Sequence, residues 1–286
     1  MKKTMNTVSQ TFNWSRFVAT LRKEVVENSR SIAFSIIGIY ALLTIFMVLG
    51  NVVNHTPTEQ MIMMEARVPY TVVLLMLSLV VCVMAAMAFK NLTTKAGRTS
   101  LFMSPSSSLE KFVVNVLIYV VATMVIFFAC AQLADLTRIA VLKAFETKDF
   151  AVPGPMNFLQ VFSAMNWRIG SGLEDLSWLG AMTMFLDTLS KAALFFLGSV
   201  VWPRLSVLKT FVTMFVIQIM LIVLLVVTIK LGFDRHAFGQ WFGDFIDQGH
   251  YFITSSIISV IEIVAGFGLA WYLFKRKDVV SLKWWK

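Results

Sequence analysis

Three ionisable residues stand inside long apolar stretches of the sequence, where charge is rare. Asp187 and Lys191 lie near the middle of one stretch, and Glu262 lies near the middle of another. A charge at the centre of a membrane-spanning helix costs about 2.5–3.5 kcal/mol on insertion scales, so it seldom faces lipid. The four-residue spacing of Asp187 and Lys191 predicts an ion pair on one helix face. We expect the three residues either to form a substrate pathway or gating network, or to neutralise one another and fix helix packing.

The neighbours of these charges on the same helix faces are small or carry hydroxyl groups. At 100° per residue, the side that carries Asp187 and Lys191 also holds Gly180, Thr183, Ser190 and Gly198. The side that carries Glu262 also holds Ser255, Ser259 and Gly266. Such residues let helices approach closely and form hydrogen bonds. Both charged faces are therefore predicted to point into protein or into a water-filled cavity.

Patterns of catalysis, metal binding and nucleotide binding are missing from the sequence. It has no HExxH zinc motif, no G-x-S-x-G nucleophile elbow and no GxxxxGK[ST] phosphate loop. Cys82 and Cys130 both fall inside apolar stretches, so we interpret them as small hydrophobic residues and not as a disulfide. We expect no catalytic, cofactor-binding or metal-binding residues, and any ATP-driven work would need another subunit.

The composition indicates that lipid is the main solvent of the chain. Of its 286 residues, 58% are apolar and only 14% are charged, whereas soluble domains average about 25% charged. A membrane span needs about 20 apolar residues, and six stretches qualify. They are 32–53, 69–89, 113–134, 179–202, 210–231 and 251–273. The prediction is an all-α polytopic membrane protein with a cytoplasmic N-terminus over 1–31 and one transmembrane domain over 32–286.

The distribution of Lys and Arg predicts the orientation. If the N-terminus is inside, the inner segments hold seventeen Lys and Arg residues and the outer segments hold six. Cytoplasmic segments carry the excess of positive charge in membrane proteins, so we expect both ends in the cytoplasm. Membrane orientation then accounts for the net charge of +9, and no nucleic-acid partner is expected.

An amphipathic helix is predicted before the first span. Trp14, Phe17, Val18, Leu21 and Val25 recur at helical spacing. Because Trp and Arg suit the depth of the headgroups, we favour a helix lying in the inner membrane interface. The alternative is a cytoplasmic helix that packs on a partner.

Three connecting segments are distinctive. In the inner loop 90–112, a short helix over 90–103 precedes a Ser/Pro break, and Ser107-x-x-Glu110 forms a capping box that predicts the next helix start. In the outer segment 135–178 we expect the third helix to continue outward, followed by a helix after Asn157. The aromatic outer segment 232–250 predicts either short re-entrant helices or a surface helix.

Three patches resemble type-2 ABC export permeases. The inner loop contains GRT at 97–99, LFMSP at 101–105 and LEKF at 109–112, similar to the loop after span two in a bacterial branch of that family. The N-terminal helix with Phe17, Leu21 and Asn28, and the ending YLFKRKDVV at 272–280, are also similar to such permeases.

This resemblance implies a six-span exporter subunit in the bacterial inner (cytoplasmic) membrane. It implies a homodimer, or a heterodimer with a related permease, in which each subunit contacts a separate ATPase subunit that uses ATP. The loop after span two would supply the coupling helix. The residues at that position are Arg98, Leu101, Ser104, Pro105, Leu109, Glu110 and Lys111. The outer segment 135–178 departs from the family by its greater length.

Two other functions compete with this one. The first is an ATP-independent secondary transporter or channel, which inverted repeats would favour, although the two halves of the chain show no such repeat. The second is a non-transporting membrane scaffold, which would need no charges at the centre of its spans.

Overall fold

Helices make up nearly all of the chain that is described. The computed structural model describes residues 12–52, 68–103, 105–144, 177–230 and 250–276, and no strand occurs among them. In chain order the helices are α1 (Trp14–Glu27), α2 (Ser29–Val52), α3 (Val68–Met87), α4 (Lys95–Met103), α5 (Ser108–Val116), α6 (Thr123–Ala144), α7 (Ser177–Val201), α8 (Ser206–Lys230) and α9 (His250–Lys275). A 3-10 helix over Lys90–Thr93 precedes α4, and a π-helical segment over Leu117–Ala122 joins α5 to α6. The predicted all-α class is confirmed for these residues.

Within the described part of the chain, five helices are long and apolar enough to cross a membrane. They are α2, the continuous helix formed by α5 and α6, and then α7, α8 and α9. The apolar part of α3 counts as shorter, Val73–Met87, so six spans and cytoplasmic ends stay predictions. The architecture is that of a multi-pass helical membrane protein.

The connections are described only in part. The third spanning helix continues outward to Ala144, as predicted. The predicted helix after Asn157, the segment 231–249, Ser104 and the tail from residue 277 lie outside the described residues.

Helix α7 lies at the centre of the packing. It contacts α9 most extensively, and it also packs on α3 and α8, while α2 packs on α6. The α7–α9 contact is close because Gly266 faces Ala193: a β-carbon added at Gly266 would lie 3.0 Å from the Ala193 β-carbon. Small residues permit this approach, so the sequence of α9 sets the position of α7.

A cluster of buried aromatic rings ties four helical segments together at the end of the bundle that is predicted to be the inner end. Phe89 follows α3, and its ring centroid lies 5.2 Å from that of Phe196 on α7 and 4.9 Å from that of Phe274 on α9. Phe112 on α5 lies 5.4 Å from Phe196. Aromatic pairs at these distances add stability beyond their buried area. The cluster therefore anchors the start of α5 against the bundle.

Helix α1 forms over the predicted amphipathic segment and joins α2 through the single residue Asn28. Its N-cap is Asn13, whose side chain accepts a hydrogen bond from the Ser15 N–H at 3.0 Å. Of the predicted apolar stripe, Phe17 is buried, whereas Trp14, Val18 and Val25 stay exposed. This exposed apolar face is compatible with the predicted interfacial position, which stays a prediction.

Candidate functional site

The predicted ion pair is present at the middle of α7. Lys191 Nζ lies 2.5 Å from Asp187 Oδ2, and no other ion pair involving either residue occurs among the described residues. We call these two residues the mid-membrane pair. Each of the two side chains is 46% exposed. The surface of a single chain therefore leaves the pair uncovered, although the sequence predicts that it faces protein or a cavity.

Glu262 is held by a different contact. Ser190, which is buried on α7, donates a hydrogen bond from Oγ to Glu262 Oε2 on α9 at 2.8 Å. About two helical turns before Ser190, Thr183 Oγ1 lies 2.9 Å from Ser256 Oγ. These hydroxyl contacts form a polar seam between α7 and α9. Glu262 thus packs against α7, but it contacts Ser190 and not Lys191.

The predicted polar side of α7 divides between different neighbours. Thr183 and Ser190 face α9, whereas Gly198 faces α8 so closely that an added β-carbon would lie 1.8 Å from Thr210 Oγ1. Asp187 and Lys191 lie between these contacts and have neither helix over them. Helical periodicity correctly places these residues on one side of α7. That side contacts α9 and α8, and between those contacts it leaves Asp187 and Lys191 exposed.

A second polar site lies at the inner end, around Glu110. Its Oε2 accepts a hydrogen bond from the Ser107 N–H at 2.8 Å, and Ser107 Oγ accepts one from the Glu110 N–H at 3.2 Å, which completes the predicted capping box. Its Oε1 accepts a hydrogen bond from the Asn13 N–H at 2.8 Å and lies 3.3 Å from Arg16 Nη2. Glu110 is 0% exposed. We call Asn13, Arg16, Ser107 and Glu110 the inner cluster.

The inner cluster connects α1 to the inner loop. Asn13 and Glu110 are 97 positions apart in the chain, and the sequence pattern of the capping box indicates only a helix start. Glu24 on α1, Leu101 on α4 and Asn115 on α5 line one small cavity. Helices α1 and α5 therefore pack together and α4 borders the same cavity, and we call these three helices the α1–α4–α5 unit.

The predicted coupling residues divide into buried and exposed groups. Leu101, Glu110 and Lys111 are buried inside this unit. Leu109 is exposed, Pro105 is exposed, and Arg98 is partly exposed. The buried group can hold the loop in shape, and only the exposed group can contact another subunit directly.

Sequence reasoning missed a buried ion pair in α6. Arg138 Nη2 lies 2.7 Å from Asp135 Oδ1, and Arg138 is 2% exposed. Arg138 lies in the outward continuation of the third helix, as that prediction requires, and its side chain is enclosed instead of exposed. The three-residue spacing of an acid and a base was the signal available in the sequence.

The described residues show no group of His, Cys, Asp and Glu side chains able to hold a metal ion. Cys82 and Cys130 are buried and unbridged. Carboxylate–cation pairs and hydroxyl contacts of this kind can bind or align charged groups.

Comparisons with models of protein families, with curated proteins and with solved structures find no match to this chain. The resemblance to export permeases thus depends on the three sequence patches. Evidence for function comes from those patches and from the two polar sites.

Proposed function

We propose that this chain is the membrane-spanning permease subunit of an ATP-driven exporter, forming the substrate pathway as a dimer and coupled to a separate ATPase subunit. The observation that carries transport is the mid-membrane pair, which is 46% exposed halfway along α7. Lipid does not solvate such charges, so they are kept where a polar route or a polar partner covers them. A scaffold without a pathway has no need of them.

The inner cluster supports coupling to an ATPase. A docking loop transmits motion only if it is rigid. Here Glu110 joins the loop to α1, and the aromatic cluster around Phe112 joins it to α3, α7 and α9. A push on α4 therefore reaches the spanning helices through packed side chains. The ATPase, the exporter activity and the bacterial inner membrane rest on the sequence resemblance.

The docking claim is tested with one partly exposed and one exposed residue of the loop, Arg98 and Leu109. Arg98→Glu combined with Leu109→Asp should abolish co-purification of an ATPase polypeptide, detected with a photoreactive ATP analogue in complexes from native membranes. Leu205→Asp is the matched control, because Leu205 is an exposed residue of the other predicted inner turn. Leu101 is unsuitable for this purpose because it is buried.

Each outcome of this experiment has a definite meaning. If no labelled polypeptide accompanies the unchanged chain, ATP coupling is wrong and an ATP-independent transporter or a scaffold takes its place. If the double variant retains the ATPase, the inner loop is not the docking surface.

The proposed orientation is tested by thiol labelling in a background without Cys82 and Cys130. A cysteine in place of exposed Ser108 should resist a membrane-impermeant reagent in intact cells, whereas one in place of exposed Tyr251 should react. The reverse pattern would place the N-terminus outside.

A further inference from the structure

The mid-membrane pair is uncovered because α8 leaves α7 above its inner end. Gly198 and Thr210 touch, and Lys191 lies two helical turns from Gly198 on the same side of α7. On the face of α8 that follows Thr210, Thr213 and Met214 are partly buried, whereas Ile217 and Leu221 further along are exposed. Helix α8 therefore does not cover α7 at the depth of the pair.

Each member of the pair also has unused bonding capacity. Lys191 has three N–H donors and Asp187 has two carboxylate oxygens, and the two residues share one contact, between Nζ and Oδ2. Acyl chains offer no donors or acceptors. The surface that completes this site must therefore carry charge of both signs at the same depth.

A second copy of this chain carries such a surface. A two-fold axis along the membrane normal keeps every residue at its depth, so α7 of one copy meets α7 of the other in parallel. Asp187 and Lys191 are offset by one turn, about 6 Å along the helix axis. Each acidic group then lies within reach of the basic group of the other copy. An interface of this kind is self-complementary.

We propose that the mid-membrane pairs of two copies meet across the two-fold axis and form a neutral four-charge cluster, in which Asp187 of each copy contacts Lys191 of the other. This inference rests on the dimer of the proposed function and adds the surface through which the copies meet. The cluster sets the register of the two α7 helices and closes the route between the copies at the middle of the membrane.

Charge exchange between copies tests the proposal. Asp187→Lys makes one copy basic at both positions, and Lys191→Asp makes another copy acidic at both. Two differently tagged full-length chains are produced together, and the amount that co-purifies is measured. Each single variant should associate with itself at least about tenfold less than the unchanged chain, equivalent to about 1.4 kcal/mol. The basic copy produced with the acidic copy should recover the original level.

Recovery is possible only if the charges meet between copies, because neither variant can form the pair within its own helix. Lys230→Glu, at the end of α8, is the control charge change and should leave association unchanged. Single variants that self-associate normally, or a mixture that recovers nothing, would overturn the four-charge cluster and leave the dimer standing. If two unchanged copies never co-purify, the dimer of the proposed function fails with it.

Discussion

The acid–base contacts of the inner cluster and of the mid-membrane pair differ in where their partners come from. Glu110 is completely buried and accepts hydrogen bonds from Asn13 and Ser107 in addition to its contact with Arg16. Asp187 is 46% exposed and contacts one residue four positions along its own helix. The first site is complete within a single chain, whereas the second has bonding capacity left over.

This difference indicates the role of each site. A buried carboxylate is tolerated when hydrogen bonds and a counter-charge satisfy it, and those bonds hold α1 and the inner loop in one arrangement. A half-exposed pair at mid-membrane is stable only once something polar covers it. The inner cluster, whose carboxylate has its partners within the chain, positions helices. The mid-membrane pair, which has bonding capacity left over, indicates a surface that another molecule covers.

The largest effect is expected from removing the carboxylate of Glu110. Glu110→Ala leaves the Asn13 and Ser107 N–H groups and the Arg16 guanidinium without their acceptor, and breaking such a buried contact costs about 3–5 kcal/mol. Thermal unfolding in detergent measures this loss. Glu27→Ala is the matched control, because Glu27 forms only an exposed pair with Lys23 at 3.7 Å, and such pairs contribute about 0–1 kcal/mol. Equal losses in the two variants would contradict the difference drawn between complete and incomplete sites.

A smaller effect is expected at the mid-membrane pair. Asp187→Asn leaves Lys191 unpaired, and Lys191→Met leaves Asp187 unpaired, at a cost of up to about 2.5–3.5 kcal/mol each. The double variant has no unpaired charge and should be more stable than the sum of the single effects predicts. A thermal-unfolding cycle over the four proteins measures this coupling. Single losses that simply add would show that the two charges do not interact.

A still smaller loss of stability is expected at the close contact between α7 and α9. Gly266→Leu forces side-chain atoms against the Ala193 backbone carbon, which lies 3.1 Å from an added β-carbon, and overpacking costs about 1–3 kcal/mol. Gly268→Ala on the same helix meets nothing within 4 Å and should be neutral or stabilising, since Ala favours helix over Gly. Thermal unfolding in detergent compares the two variants. If Gly266→Leu unfolds no earlier than Gly268→Ala, the close α7–α9 contact is wrong.

The smallest effect is expected at Glu24, which lies in the α1–α4–α5 unit without the partners of Glu110. Burial, together with nearby Glu27, raises the pKa of Glu24 above its ordinary value of 4.5. A raised carboxyl pKa means that the folded state disfavours the charged form, so this residue lowers stability as the pH rises above 4.5. Glu24→Gln should therefore be slightly more stable than the unchanged chain at pH 7, with the gain shrinking toward pH 4. A stability gain that is the same at every pH would mean that packing, and not the charge of Glu24, causes the gain.

Much of the helical framework is predictable because it depends on neighbouring residues. Apolar stretches predict each of the described long helices to within a few residues in most cases. The continuous helix of α5 and α6 extends beyond its predicted span at both ends, where the capping box and the expected outward continuation of the third helix predict it. The capping box at Ser107 and Glu110 and the four-residue spacing of Asp187 and Lys191 are likewise local patterns, and both contacts form.

The sequence by itself determined which residues share a helix face, which helix ends carry a cap and which charges fall at mid-span, because these properties follow from a period of 3.6 residues and from short-range hydrogen bonds. Only the tertiary structure decided that Glu110 reaches Asn13 and Arg16, that Leu101 and Arg138 are buried, and that α8 leaves the mid-membrane pair uncovered. Those outcomes depend on which helix faces meet, and packing between distant segments sets that choice. A pattern of amino acids places a charge on a surface, and the fold decides whether that surface is closed.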